Sequence, residues 1–136
     1  MHGGRLMKTF ATEVMTLLGA CATDPRMMEF IQPMQVEAQR LSDTSRALGK
    51  TASQDAEVIG AVANSYLKQF ALVTLAYVWV KQVKAVIDRP EEDELRRSKL
   101  QTARYFFKLV LPEAELEAKR VAVGKEPMTD IDVDLL

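Results

Sequence analysis

The stretch from Ser53 to Asp88 constrains the fold more than any other part of the sequence. It contains no proline, and Ser53 followed by acidic residues is typical of a helix start, so the stretch predicts one helix about 50 Å long. In its middle, Phe70–Val80 reads FALVTLAYVWV and is apolar around most of the helix circumference. Such a helix must be covered on several sides, either as the central helix of a bundle or by another subunit or domain.

Three further helical segments surround this one. The first runs from Arg5 to about Ala22, and the second runs from Asp24 or Pro25 to about Leu48, with a kink or restart at Pro33 and a stop at GlyLys. The last runs from about Glu91 to Val123 and contains Pro112. Short turns favour antiparallel neighbours, so the predicted fold is all-α: an antiparallel four-helix bundle with a long central apolar helix.

Length and composition limit the remaining choices. A chain of 136 residues fits a single domain, predicted over 1–126, while the alternating Asp residues of 127–136 predict an extended or disordered tail. The net charge of -1 gives no drive toward nucleic acid. The single cysteine and the lack of a signal sequence indicate a cytoplasmic protein, and the short apolar run Phe70–Val80 predicts no membrane span.

Few residues suggest chemistry. The only histidine, His2, lies beside the chain start, which leaves Ser-His-Asp, Cys-His and HExxH sites poorly supported. No Glu-x-x-His pair for a di-iron site occurs, and neither does a P-loop or GxGxxG; Gly3–Gly4 before a helix is a very weak anion signal. Cys21 has no histidine to activate it, so it is predicted to be a small buried hydrophobe. We therefore predict no catalytic residue, no metal ligand and no cofactor bound by this chain alone.

Two features of the last helix remain to be placed. Its basic residues Arg96, Lys99 and Arg104 are read as solvated side chains that balance the acidic helix start, with a phosphate site or partner contact as the alternative. Its three adjacent aromatics are Tyr105, Phe106 and Phe107. Because consecutive helix positions point about 100° apart, at least one of the three should look away from the core and favour a partner.

The sequences YLKQFALVTLAYVWVKQ and KLQTARYFFKLVLPEAE together resemble the C-terminal helical extension of one branch of the acyl-CoA dehydrogenase family. The pattern rests on Tyr66, Leu67, Phe70, Lys99, Ala103, Arg104, Tyr105, Phe106, Leu111 and Pro112. The opening HGGRLMKTF is similar to the junction where such extensions leave the catalytic body, in which case Met1 would be an internal residue of a longer enzyme.

The resemblance implies an oxidoreductase of fatty acid metabolism, a flavoprotein that uses FAD to desaturate an acyl-CoA between its α and β carbons. The flavin-binding domains and the glutamate base lie outside these residues. The chain would then be a C-terminal structural and association domain that packs on the catalytic body or a neighbouring subunit of an oligomer, with Tyr105, Phe107 and Trp79 as interface candidates.

Two alternatives stay open beside that reading. In one, the chain is a free-standing helical bundle that associates with a second copy through its third helix and has no activity. In the other, Arg96, Lys99 and Arg104 hold a phosphate of CoA.

Overall fold

The computed structural model describes residues 2–136, with side chains from Arg5 onward, and that part of the chain contains helices and no strand. The long helices are α1 (His2–Cys21), α2 (Met28–Gln54) and α3 (Glu57–Val86). They are followed by α4 (Glu94–Tyr105), a π-helical turn (Phe106–Val110), α5 (Glu113–Val123) and α6 (Glu126–Thr129). Short 3-10 turns lie at Pro25–Met27 and Val133–Leu135. The prediction of an all-α fold is confirmed.

Aspartates lie directly before α4 and before the 3-10 turn that leads into α2. The side chain of Asp24 accepts a hydrogen bond from the backbone N–H of Arg26, and Asp93 does the same for Arg96, each at 3.0 Å. Such caps satisfy N–H groups that have no partner inside the helix. The fourth segment, predicted to begin at about Glu91, thus begins as α4 at Glu94, directly after the capping residue Asp93. The predicted start at Ser53 is wrong, because α2 continues to Gln54 and the turn into α3 is made by Asp55, whose carboxylate accepts from the N–H of Glu57 at 3.1 Å.

A restart at Pro33 and a stop at GlyLys were also predicted within α2, and both are wrong, whereas the alternative of a kink at Pro33 stays a prediction. The helix runs through Pro33 without a restart, and it does not stop at GlyLys, 49 and 50. A proline in the second turn removes one backbone hydrogen bond, while the buried side chains Phe30, Ile31 and Met34 hold that part of the helix against the core. An exposed glycine inside a helix costs only about 1 kcal/mol, which tertiary packing readily offsets.

The long apolar helix α3 lies at the centre, in contact with α1, α2, α4 and α5. Its buried side chains lie on one face, at steps of three, four or seven residues: Val58, Val62, Gln69, Val73, Ala76, Val80, Val83 and Val86. Arg26, in the 3-10 turn just before α2, donates to the carbonyl of Ile87 at the end of α3, whereas Ser45 in α2 bonds Tyr66 nearer the start of α3. These two helices therefore run in opposite directions. The four-helix arrangement of the whole bundle stays a prediction.

The core has a large and a small apolar cluster. The large one joins residues of α1, α2, α3, α4 and α5, and the small one consists of Val58, Val62 and Val121. Two polar side chains, Gln69 and Glu117, are buried along α3 and α5 between these clusters. The core is thus interrupted by groups that need hydrogen-bond partners.

The predicted fourth helix is divided in two. Pro112 has no N–H to donate, and just before it the N–H of Leu111 donates to the carbonyl of Phe106, five residues back, at 2.8 Å. This π-turn changes the angle between successive side chains. As a result, Phe106 and Phe107 are 6% and 7% exposed, whereas Tyr105 is 61% exposed. The expectation that one of the three aromatics looks away from the core is confirmed.

The predicted extended or disordered tail covers residues 127–136. In this part of the chain Glu126–Thr129 form a helical turn and Val133–Leu135 a 3-10 turn, and every side chain from 126 to 136 is exposed. The turns satisfy local backbone groups without adding to the core.

By length and composition, α3 is the one helix among the described residues that is long and apolar enough to cross a membrane. The central helix of a bundle meets the same criteria, because both must be apolar on several sides. The absence of a membrane span stays a prediction.

Candidate association surface

The side of α3 that faces away from the core carries an exposed apolar stripe, with the exposed Lys68 and Lys81 beside it. Leu67, Ala71, Leu75 and Val78 follow one another at steps of three or four residues, so they form one stripe, called here the outer stripe of α3. Leu67 is 65% exposed, Leu75 46% and Val78 38%. At about 100° per residue, the stripe lies opposite Val73 and Val80, which are fully buried.

This geometry accounts for the apolar circumference of α3. The sequence left two readings open, a core helix and a helix with an association surface. The structure places a buried face and an exposed apolar face on the same helix. Exposed apolar residues that stand singly are ordinary, but a continuous stripe on a rigid central helix is the kind of surface that marks an interaction site.

The three predicted interface aromatics lie in different environments. Tyr105 is exposed on α4. Phe107 is buried, with its ring centroid 5.6 Å from that of Phe30 and 5.4 Å from that of Phe106. Trp79 is partly buried and has the Nζ of Lys99 5.8 Å from its ring centroid, a cation–π contact. Of the three, Tyr105 offers the most surface to a partner and Phe107 almost none.

The three predicted basic residues do not converge. Arg96 and Arg104 line one cavity of about 620 Å³ with Arg97, whereas Lys99 points to α3 and donates to the amide oxygen of Gln82 at 2.8 Å. A site made by all three is therefore absent from the described residues, and binding of a CoA phosphate by the two arginines stays a prediction.

The arginines of that cavity are largely engaged within the chain. Arg104 donates to both carboxylate oxygens of Glu29, at 2.7 and 3.0 Å, and these bonds raise the pKa of Arg104. Arg96 donates to the carbonyl of Ile87 at 3.3 Å. Guanidinium groups held in this way link neighbouring helices through hydrogen bonds, so the main role that the contacts indicate for these arginines is structural.

Sequence reasoning missed Arg26. Its guanidinium bonds Asp24 at 2.8 Å, Asp88 at 2.7 Å and the carbonyl of Ile87 at 3.1 Å, which joins the start of α2 to the end of α3. The two carboxylates raise the pKa of Arg26. The signal available in the sequence was an arginine directly after an Asp-Pro helix start.

Sequence reasoning also missed an open apolar cleft between α1 and α2, of about 630 Å³. Its floor contains Phe10, Val14 and Leu41, and its polar residues lie toward the rim. Small residues facing each other across the two helices, such as Ala11 and Ser42, were the only sign of it in the sequence.

The groups considered for chemistry can be placed as follows. Cys21 is buried, and this burial raises the pKa of its thiol, so its thiolate is disfavoured. Among the residues whose side chains are described, no cluster of three or more His, Cys, Asp and Glu could hold a metal ion. Met1, the His2 side chain and the surroundings of Gly3–Gly4 lie outside the part that the structure describes.

Comparison with known proteins gives one family. A family model described as "Acetyl-CoA dehydrogenase C-terminal like" matches residues 6–132, which is nearly the whole chain. Comparison with curated proteins and with solved structures gave no significant match.

Proposed function

We propose that this chain, which belongs to the acetyl-CoA dehydrogenase C-terminal like family, is the helical association domain of an acyl-CoA dehydrogenase. The observation that carries the proposal is the outer stripe of α3, an exposed apolar surface on the helix that also organises the core. The stripe packs against the catalytic body of the enzyme. That body holds FAD and desaturates the acyl-CoA, and the enzyme works in the cytoplasm as an oligomer.

The shape of the domain suits this role. The contacts of Arg26 with Ile87 and of Ser45 with Tyr66 support an antiparallel four-helix bundle, which is a stiff scaffold. Stiffness matters because a surface that is already ordered loses little entropy when it docks. Tyr105, exposed on α4, is a second contact, since a tyrosine can bury its ring and keep its hydroxyl hydrogen-bonded.

The size of the effect can be worked out from exposure. Complete burial of a leucine side chain is worth about 1.5–3 kcal/mol. Leu67 and Leu75 are 65% and 46% exposed. Covering both would thus contribute roughly 2–3 kcal/mol, or about 30- to 150-fold in Kd.

The proposal is tested by binding this chain to an acyl-CoA dehydrogenase body produced as a separate polypeptide. In the test variant, Leu67 and Leu75 are both replaced by Ser. The control variant replaces Leu109 and Leu116 by Ser; these leucines are 63% and 48% exposed and lie on the π-turn and α5, outside the outer stripe of α3. Because the exposed fractions match, the two variants change the surface polarity equally.

We expect the Leu67→Ser/Leu75→Ser variant to bind the body at least about 30-fold more weakly, and the control to bind like the unchanged chain. Equal affinities in all three proteins would refute docking through the outer stripe. A loss of affinity confined to the control variant would indicate that the interface lies on the π-turn and α5. Sedimentation of the chain alone tests whether a second copy of the chain covers the stripe. A dimer of the unchanged chain that is lost in the Leu67→Ser/Leu75→Ser variant would indicate self-association instead.

A further inference from the structure

The cleft between α1 and α2 is chemically graded along its length. Phe10 lies over Phe70, which contacts Tyr66, and Tyr66 bonds Ser45, so the start of α1 lies beside the later part of α2. Two cationic residues that line the cleft, Lys8 and Arg46, therefore lie at the same end of it. The other end, near the turn that joins the two helices, contains Leu18, Ala38 and the uncharged polar side chain of Gln35.

The cations at that end are available to a ligand. Arg46 has a side chain 76% exposed, and its nearest carboxylate, that of Asp43, is 3.8 Å away. Lys8 forms no ion pair among the residues that the structure describes. The hydroxyl of Ser42 lies on the same lining, whereas the hydroxyl of Ser45 is hydrogen-bonded to Tyr66. An anionic group at this end would meet two positive charges and hydrogen-bond donors.

The floor of the cleft is apolar, and Gln35 and Gln39 are exposed polar residues of its lining on α2. Val14 and Leu41 are 4% and 2% exposed and form the floor, with Phe10 and Leu18 partly buried beside them. Ala11 on α1 and Ala38 on α2 are small lining residues, which leave space between the two helices. A volume of about 630 Å³ is within the range of small-molecule sites.

The shape and charge of the cleft suit an elongated ligand with one anionic end. From Met7 to Leu18 the cleft follows α1 for about 16 Å at 1.5 Å per residue. Its two cationic residues lie at one end of that length, so only one end of a bound molecule would meet positive charge.

We propose that this cleft binds a single-chain amphiphile with an anionic head, of the chemical class of the fatty carboxylates. The alkyl chain lies on Phe10, Val14 and Leu18, and the carboxylate lies between Lys8 and Arg46. This site is separate from the outer stripe of α3, so it does not depend on the proposed association with a catalytic body.

Calorimetry on this chain tests the site, with laurate as the probe at concentrations below its micelle threshold. Dodecyltrimethylammonium has the same alkyl length and the opposite charge, so it tests the role of the head. Ser42→Phe fills the cleft, and Ala47→Phe is its control at an exposed position of α2 outside the lining. Arg46→Glu reverses the charge at the cationic end, and Lys50→Glu is its control.

We expect laurate to bind with one molecule per chain, the cation to bind at least about tenfold more weakly, and Ser42→Phe to abolish laurate binding. Arg46→Glu should weaken laurate about tenfold, while both controls should bind like the unchanged chain. The proposal is overturned if laurate does not bind, if the cation binds as tightly, or if Ser42→Phe and Arg46→Glu leave the affinity unchanged. Circular dichroism establishes that each variant is folded, and Arg46→Glu decides the question if Ser42→Phe is not.

Discussion

Phe107 and Tyr105 provide a sharp comparison, because two aromatic residues in the same short segment have opposite surroundings. Phe107 is 7% exposed and packs edge-to-face on Phe30 and Phe106. Truncation of a buried phenylalanine to alanine removes its burial and leaves a cavity, at a cost of about 3–5 kcal/mol. Phe107→Ala should therefore lower the free energy of unfolding by about 4 kcal/mol, and the Tm by roughly 10–20 °C for a domain of this size.

Tyr105→Ala should behave differently. Its side chain is 61% exposed, so less than half of the ring's burial is lost, and the higher helix propensity of alanine offsets about 0.5 kcal/mol. We expect a change in the free energy of unfolding below about 1 kcal/mol. In the proposed enzyme, the same variant weakens docking to the body, whereas Phe107→Ala weakens docking only as far as it unfolds the domain.

Urea unfolding followed by helical circular dichroism measures both variants, and equal m-values show that the midpoints can be compared. The reasoning fails if Phe107→Ala costs less than about 1 kcal/mol, or if Tyr105→Ala costs as much as Phe107→Ala. Either result would mean that the π-turn does not direct Phe107 into the core.

Three other residues carry further predictions. Burial raises the pKa of Glu37 above its unfolded value, so the native state gains stability as the pH falls through that raised pKa. Glu37→Gln should therefore be more stable than the unchanged chain at pH 7. The difference between their free energies of unfolding, measured by urea titration, should shrink toward about pH 4. A constant difference across this range would contradict the assigned cause. Gln69 is fully buried and its Oε1 has no hydrogen-bond partner. Gln69→Met should therefore raise the free energy of unfolding by about 1 kcal/mol. A lower free energy of unfolding would show that the oxygen is hydrogen-bonded in solution. Gly124 follows the end of α5 and has a φ of 80°, so Gly124→Ala should lower the free energy of unfolding by about 1 kcal/mol in the same assay. An unchanged free energy of unfolding would mean that the backbone at this position adopts another conformation.

Much of the fold was predictable because it follows from local chemistry. The apolar spacing of Ser53–Asp88 predicted a long central helix, and α3 occupies Glu57–Val86. The acidic turn before Glu94 predicted a helix start, which Asp93 caps. The errors at Pro33 and at GlyLys have one cause: a breaker has a small local cost, and packing of α2 elsewhere outweighs it. The family was also predictable from residue patterns in the sequence, and the family match over residues 6–132 confirms it.

The candidate sites were only partly predictable. A helix apolar on all sides shows in the sequence, but the choice of Leu67 and Leu75 as the exposed leucines follows from where α1, α2, α4 and α5 pack. Arg96, Lys99 and Arg104 are close in sequence, yet helix rotation turns Lys99 toward Gln82 and the arginines toward another cavity.

By itself, then, the sequence determined that the chain is helical, where its helices approximately begin, and that its third helix needs cover on more than one side. Only the tertiary structure decided which of Tyr105 and Phe107 is exposed and that a cleft remains between α1 and α2. Helix formation depends on hydrogen bonds within a few residues, whereas exposure and clefts depend on side chains brought together from distant parts of the chain.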